Sequence, residues 1–113
     1  MDYGYHKEIS EKDPRQARWT EQREARGFDD TELWNLDFTI ARFVLPRLKA
    51  FKTMGHGYPG NLTFDEWNTI LDKMIFSFEY AANDDKLFGD SEFHETVNEG
   101  MQYFADYFFH LWD

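Results

Sequence analysis

Four histidines, three serines and twenty-two carboxylates are the side chains of this 113-residue sequence that could hold a metal or move a proton. Their spacing argues against both. His6, His56, His94 and His110 form no His-Glu-x-x-His pair, and no Glu-x-x-His of the kind that di-iron helical bundles use. Asp106 and His110 stand four apart and could share a divalent ion, but two ligands do not make a site. Ser10 lies in a polar arm, Ser91 suits a helix cap, and Ser77 has no base evident in the sequence. The run Gly55-His56-Gly57-Tyr58-Pro59-Gly60 lacks the lysine and the preceding strand of a phosphate-binding loop. It reads as a turn with Tyr58 packed down, or alternatively as a binding loop. With no cysteine there is no thiolate metal site, disulfide scaffold or cysteine nucleophile. The expectation is a protein without catalytic, cofactor or metal residues.

Other residues point to contacts. On a helical wheel Asp37 falls between Val44 and Leu48, where an unpaired carboxylate costs several kcal/mol on burial, about 2 or more by the usual range for buried polar groups. It is expected to be buried, with a partner from another element: His56, Tyr58, Lys73 or an arginine of the arm. Glu95, Glu99, Asp106 and Asp113 fall within about 40° of one another at 100° per residue. Such a ridge is either a solvated face or, lacking interspersed cations, a surface for a basic partner. Phe76 and Tyr80 lie on the polar side of their helix and Phe109 likewise on the next, as candidate anchors unless Trp19 or Ile9 covers the first two.

Helices must position these residues. Phe28-Asp29-Asp30-Thr31-Glu32-Leu33 reads as a helix start, with Asp29 as cap, Glu32 reaching back and Phe28 stapled to Leu33. Leu62-Thr63-Phe64-Asp65-Glu66-Trp67 repeats that grammar, and Asp90 or Ser91 with Glu92 marks a third start. The periodicity predicts helices over about 30–52, 64–82 and 92–111. The first has an apolar arc of roughly 220°, which makes it the central element, kinked by Pro46. A shorter helix from Pro14 to Arg26, stopped by Gly27, is expected within the arm. No segment alternates long enough to require a strand. The fold class is all-α: a three-helix bundle over 28–113, or four helices if the charged arm of residues 1–27 docks.

Charge is unevenly spread. The chain has 12 basic and 22 acidic residues, a formal charge of −10, yet residues 54–113 alone hold two basic against twelve acidic ones. Unaided binding to nucleic acid or to an anionic membrane is not expected, because affinity for phosphate comes from Lys and Arg. No run of 18 apolar residues occurs and the first residues lack an apolar signal core, so a cytoplasmic protein is the expectation.

Gly27-Phe28-Asp29-Asp30-Thr31-Glu32-Leu33-Trp34-Asn35-Leu36-Asp37, Pro46-Arg47-Leu48, His56-Gly57-Tyr58-Pro59 and Asp65-Glu66-Trp67 with Ile70-Leu71 and Met74 together resemble a group of small proteins of tailed bacteriophages. The resemblance spans about residues 27–82. It implies a phage setting in bacterial cytoplasm, and that group carries no assigned activity to transfer. The expected function is therefore non-enzymatic: a protein-binding modulator or inhibitor of a host or phage protein. The alternatives are a nucleic-acid mimic in the basic groove of a nuclease, polymerase or defence complex, and a homo-oligomeric assembly protein.

Overall fold

The computed structural model describes residues 9–54, 57–83 and 91–112, the side chains of 91 and 92 excepted. Helix accounts for 74% and no strand occurs among the described residues. The helices are α1 (Gln16–Arg26), α2 (Thr31–Trp34), α3 (Leu36–Thr53), α4 (Phe64–Ala82) and α5 (Ser91–Asp106), followed by a 3-10 turn, Phe108–His110. The all-α expectation stands. His6, His56, Asp113 and the Asp90, Ser91 and Glu92 start signal lie outside the described residues or side chains. Two compact units divide within α3, between Phe43 and Val44.

In the first unit, α1 ends as its sequence requires. Gly27 adopts a φ of 86° and its N–H donates to the Arg23 carbonyl at 2.9 Å, a conformation that costs other residues about 1 kcal/mol or more. The chain then enters Asp29, which is fully buried. Its carboxylate accepts hydrogen bonds from the Thr31 N–H at 2.9 Å, from the Thr31 hydroxyl and from the Arg23 guanidinium. Its own N–H donates to Glu32 Oε2 at 2.8 Å. Glu32 thus reaches back to the Asp29 N–H as expected, while the Asp29 carboxylate caps the Thr31 N–H and the Glu32 N–H donates to the Asp29 backbone carbonyl at 3.1 Å. The Phe28–Leu33 staple hides neither side chain, since both stay substantially exposed and Phe28 lies under the Arg26 guanidinium at 4.3 Å. Asp30 is clasped by Gln22 at 3.0 Å and Arg26 at 2.8 Å. Trp19 is buried edge-to-face against Trp34 at 5.8 Å, with Arg15 over both rings. It therefore serves this unit.

The expected helix over 30–52 is broken, and the break falls at Asn35 (φ −130°, ψ 76°), whereas Pro46 sits inside the uninterrupted α3. Asn competes with helical hydrogen bonding through its own side chain. The Thr39 hydroxyl donates to the Glu32 carbonyl at 2.8 Å, satisfying an acceptor that the break would otherwise strand. The broad apolar arc is not buried throughout: Phe38, Ala41 and Leu48 are buried, while Leu33, Trp34, Leu36, Ile40 and Phe43 remain about half-exposed.

Asp37 is exposed, contrary to expectation. Its angular relation to Val44 and Leu48 holds, but those residues lie two and three turns further along α3. Locally the buried pair Phe38 and Ala41 is centred about 70° away at 100° per residue. As an exposed carboxylate in the first turn of α3, it suits the positive end of the helix and needs no partner.

In the second unit α4 packs on α5. The Thr63–Glu66 capping box is complete, with the Glu66 N–H donating to Thr63 Oγ1 at 3.1 Å and the Thr63 N–H to Glu66 Oε1 at 2.8 Å. The face of Trp67, Ile70, Leu71, Met74 and Phe78 is buried as the wheel requires. Ser77 is also buried; its hydroxyl donates to the Val97 carbonyl of α5 at 2.7 Å, so its role is structural. Opposite it is Gly100, where a methyl group would overlap Ser77 Oγ and the Lys73 carbonyl oxygen.

Two stability predictions follow from this packing. Asp29→Ala strands Arg23 and two Thr31 donors, and should cost about 2–4 kcal/mol in urea unfolding, against less than about 0.5 kcal/mol for Asp37→Ala. Gly100→Ala should destabilise by at least about 1 kcal/mol despite the better helix propensity of alanine, because a backbone carbonyl cannot step aside. Gly60→Ala, with open space around it, serves as the near-neutral control.

Candidate interaction surface

Helix α5 turns Phe93, Val97, Met101, Tyr103, Phe104 and Tyr107 partly inward. The deepest ring contact with α4 is Phe78–Phe104, edge-to-face at 4.8 Å. Phe93 meets both Phe76 (6.0 Å) and Tyr80 (6.3 Å). Those two candidate anchors are consequently half-buried in the α4–α5 contact, and α5 is what covers them.

The acidic ridge is exposed, but it is not uniform. Glu95 has no cationic partner among the described residues, and Asp106 accepts only from Gln102 Nε2 at 2.8 Å. Glu99 is held by Lys73 of α4 at 2.7 Å. That ion pair, with the Tyr103 ring 5.6 Å from the ammonium, raises the Lys73 pKa above the ordinary lysine value, chiefly through the hydrogen bond to Glu99. Lys73 thus serves Glu99. The arginines of α1 and the residues before it pair within the first unit: Arg15 with Asp13, Arg23 with Asp29, and Arg18 and Arg26 with Asp30. Among the described residues the ridge carboxylates without a cationic partner are Glu95 and Asp106, eleven residues or about 16 Å apart along the helix.

The more pronounced surface lies at one end of the α4–α5 pair. The helix expected to reach Leu111 stops at Asp106, and Tyr107 (φ −110°, ψ 15°) leads into the 3-10 turn. The tighter winding leaves the 100° phase of α5 and turns side chains outward: Phe109 is 84% exposed, Trp112 70% and Phe108 52%. Phe109 agrees with the sequence expectation, and Phe108 and Trp112, which a continued helical period would turn inward, join it outside. Four consecutive aromatic residues, Tyr107-Phe108-Phe109-His110, cannot share one helical face, and that run was the available signal. Trp67, against Tyr107 at 5.5 Å, places the start of α4 beside this end. There Phe64 and Tyr58 are half-exposed and stacked edge-to-face at 5.9 Å, so Tyr58 is not packed down as expected. Trp67 itself is fully buried, and its indole N–H has no acceptor among the described residues.

Asp65, Glu66 and Asp106 are the exposed charges among residues 57–67 and 104–112. No Lys or Arg occurs between Lys52 and Lys73, nor after Lys86. Along the two segments that carry these five exposed aromatic side chains, the exposed charges are carboxylates alone. Among the described residues no three His, Asp or Glu converge as metal ligands, and no helix is long and apolar enough to cross a membrane. The His110 ring lies 5.7 Å from Tyr107, and Asp106 is engaged by Gln102. Compared with known proteins, the chain matches no family, no curated protein and no solved structure.

The Lys73–Glu99 clasp has a definite pH signature. A lysine whose folded pKa is raised contributes stability that is fully present below its ordinary pKa and is lost as pH rises through the raised value. Urea midpoints measured from about pH 9.5 to 12 should fall more steeply for the wild type than for Lys73→Met. Parallel curves would show that the pair adds nothing to folding.

Proposed function

We propose that the chain is a non-enzymatic, protein-binding modulator or inhibitor of a host or phage protein, acting in the cytoplasm of a phage-infected bacterium. The observation that carries this reading is the group of exposed aromatic side chains at one end of the α4–α5 pair, led by Phe109 at 84% exposure. Large rings held in water on a rigid helical frame are costly to leave uncovered, and rings of this kind anchor protein interfaces. Glu95 and Asp106 add an unneutralised charge that would steer a basic partner.

Glu99 in its clasp with Lys73 favours this reading over the nucleic-acid mimic, which would use the whole ridge. The formal charge of −10 opposes self-assembly of identical chains.

The test is retention of a defined protein from phage-infected lysate on the immobilised chain, against a similarly charged helical protein as control. The purified partner should then associate more slowly with Glu95→Lys/Asp106→Lys, by about tenfold at low salt, and the difference should shrink as ionic strength rises. Absence of any protein retained above the control would overturn the proposal. An association rate indifferent to the double charge reversal would remove the acidic face from it.

A further inference from the structure

We infer that the aromatic end formed by Tyr58, Phe64, Phe108, Phe109 and Trp112 docks an arginine-bearing amphipathic segment of the partner protein. This rests on the protein-binding reading and names the chemistry of what is bound. Two independent features of the surface select the occupant.

The first is charge. Asp65, Glu66 and Asp106 flank the rings, and neither sequence segment contributing to this end contains a cation. A nucleic acid or an anionic bilayer would be repelled. A second copy of this chain, itself carrying −10, brings the same sign. A cationic segment is the complementary choice.

The second is the ring chemistry. Elsewhere the chain stacks its own arginines on its aromatic side chains: Arg15 over Trp19 at 4.9 Å, Arg26 over Phe28 at 4.3 Å, Arg42 over Phe38 at 5.3 Å. Among the described residues no member of the aromatic end has such a partner, although Phe109 and Trp112 present the most exposed rings there. A planar, weakly hydrated guanidinium can lie on a ring and reach a neighbouring carboxylate at the same time, which an ammonium does less well. Apolar residues on the same segment would cover Phe108 and Phe64, as in recognition of amphipathic helices by apolar surfaces.

The experiment titrates the full-length protein at physiological salt with a defined fourteen-residue amphipathic probe of arginine and leucine. Parallel probes replace arginine by lysine or by the neutral isostere citrulline. Backbone and indole resonances report where each binds. The expected result is a saturable shift centred on residues 58–66 and 106–112, with the lysine probe about threefold or more weaker and the citrulline probe weaker by at least about tenfold. Phe109→Ser, at a position too exposed to affect folding, should weaken the arginine probe about tenfold, and Asp106→Asn should narrow the gap between the arginine and citrulline probes. Equal binding of the citrulline probe overturns the inference. So do shifts confined to the Glu95–Glu99 face, or an affinity unchanged by Phe109→Ser. If a lysate partner is retained but its binding is indifferent to Phe109→Ser, this inference fails while the protein-binding function stands. If no partner is retained, the function fails irrespective of the probes.

Discussion

The backbones of α4 and α5 touch where Gly100 faces Ser77, and the second unit is arranged around that approach. With no side chain at Gly100, the α5 backbone comes within reach of the Lys73 carbonyl, and the Ser77 hydroxyl bridges the helices through the Val97 carbonyl. Everything on either side is then fixed in register. Towards one end Phe93 meets Phe76 and Tyr80; towards the other Trp67 meets Tyr107. Lys73 arrives opposite Glu99 because it lies one turn from Ser77 on the same helix. A larger residue at position 100 would separate the helices and loosen each of these contacts together.

What was legible in the sequence were features whose physics is local. The Thr63–Glu66 box and the Gly27 stop depend on residues within a turn of each other, and both are present in the form the sequence implies. The amphipathic face of α4 was legible too, because one wheel suffices when a helix buries a single stripe. Asp37 and Asp29 show where that reasoning ends. A wheel assigns an angle and is silent about depth along the axis, so Asp37 shares its angle with the half-buried Val44 and the buried Leu48 further along α3 without sharing their burial. Asp29 looked like an ordinary surface cap; its burial depends on Arg23, six residues earlier and on another helix. The aromatic end was hidden for a related reason, since extending the period of α5 beyond Asp106 folds Phe108 and Trp112 inward on paper.

Electrostatics separates the two units in kind as well as in sequence. Around α1 and α2 each acidic group of the Asp13, Asp29 and Asp30 set has its arginine, and Asp13 and Asp30 are held below the usual carboxylate range, Asp13 by Arg15 and Asp30 by Gln22 and Arg26. Around α4 and α5 the few lysines are taken by Glu79, Asp72 and Glu99, leaving carboxylates in excess. The first unit is internally neutralised at its corner. The second presents a field to its surroundings.

The buried indole of Trp67 bears on how the second unit moves. An N–H withheld from water and without an acceptor costs about 1–3 kcal/mol, and that penalty is relieved whenever solvent reaches the ring. Opening the Trp67–Tyr107 end is therefore easier than parting the helices at Ser77, whose hydroxyl would lose a bond by the same motion. Amide protons in the first turns of α4 should exchange through small local excursions, while those around Ser77 wait for cooperative unfolding. The aromatic end is thus attached to the Trp67–Tyr107 end of the helix pair, away from the Ser77–Gly100 crossing that holds the two helices in register.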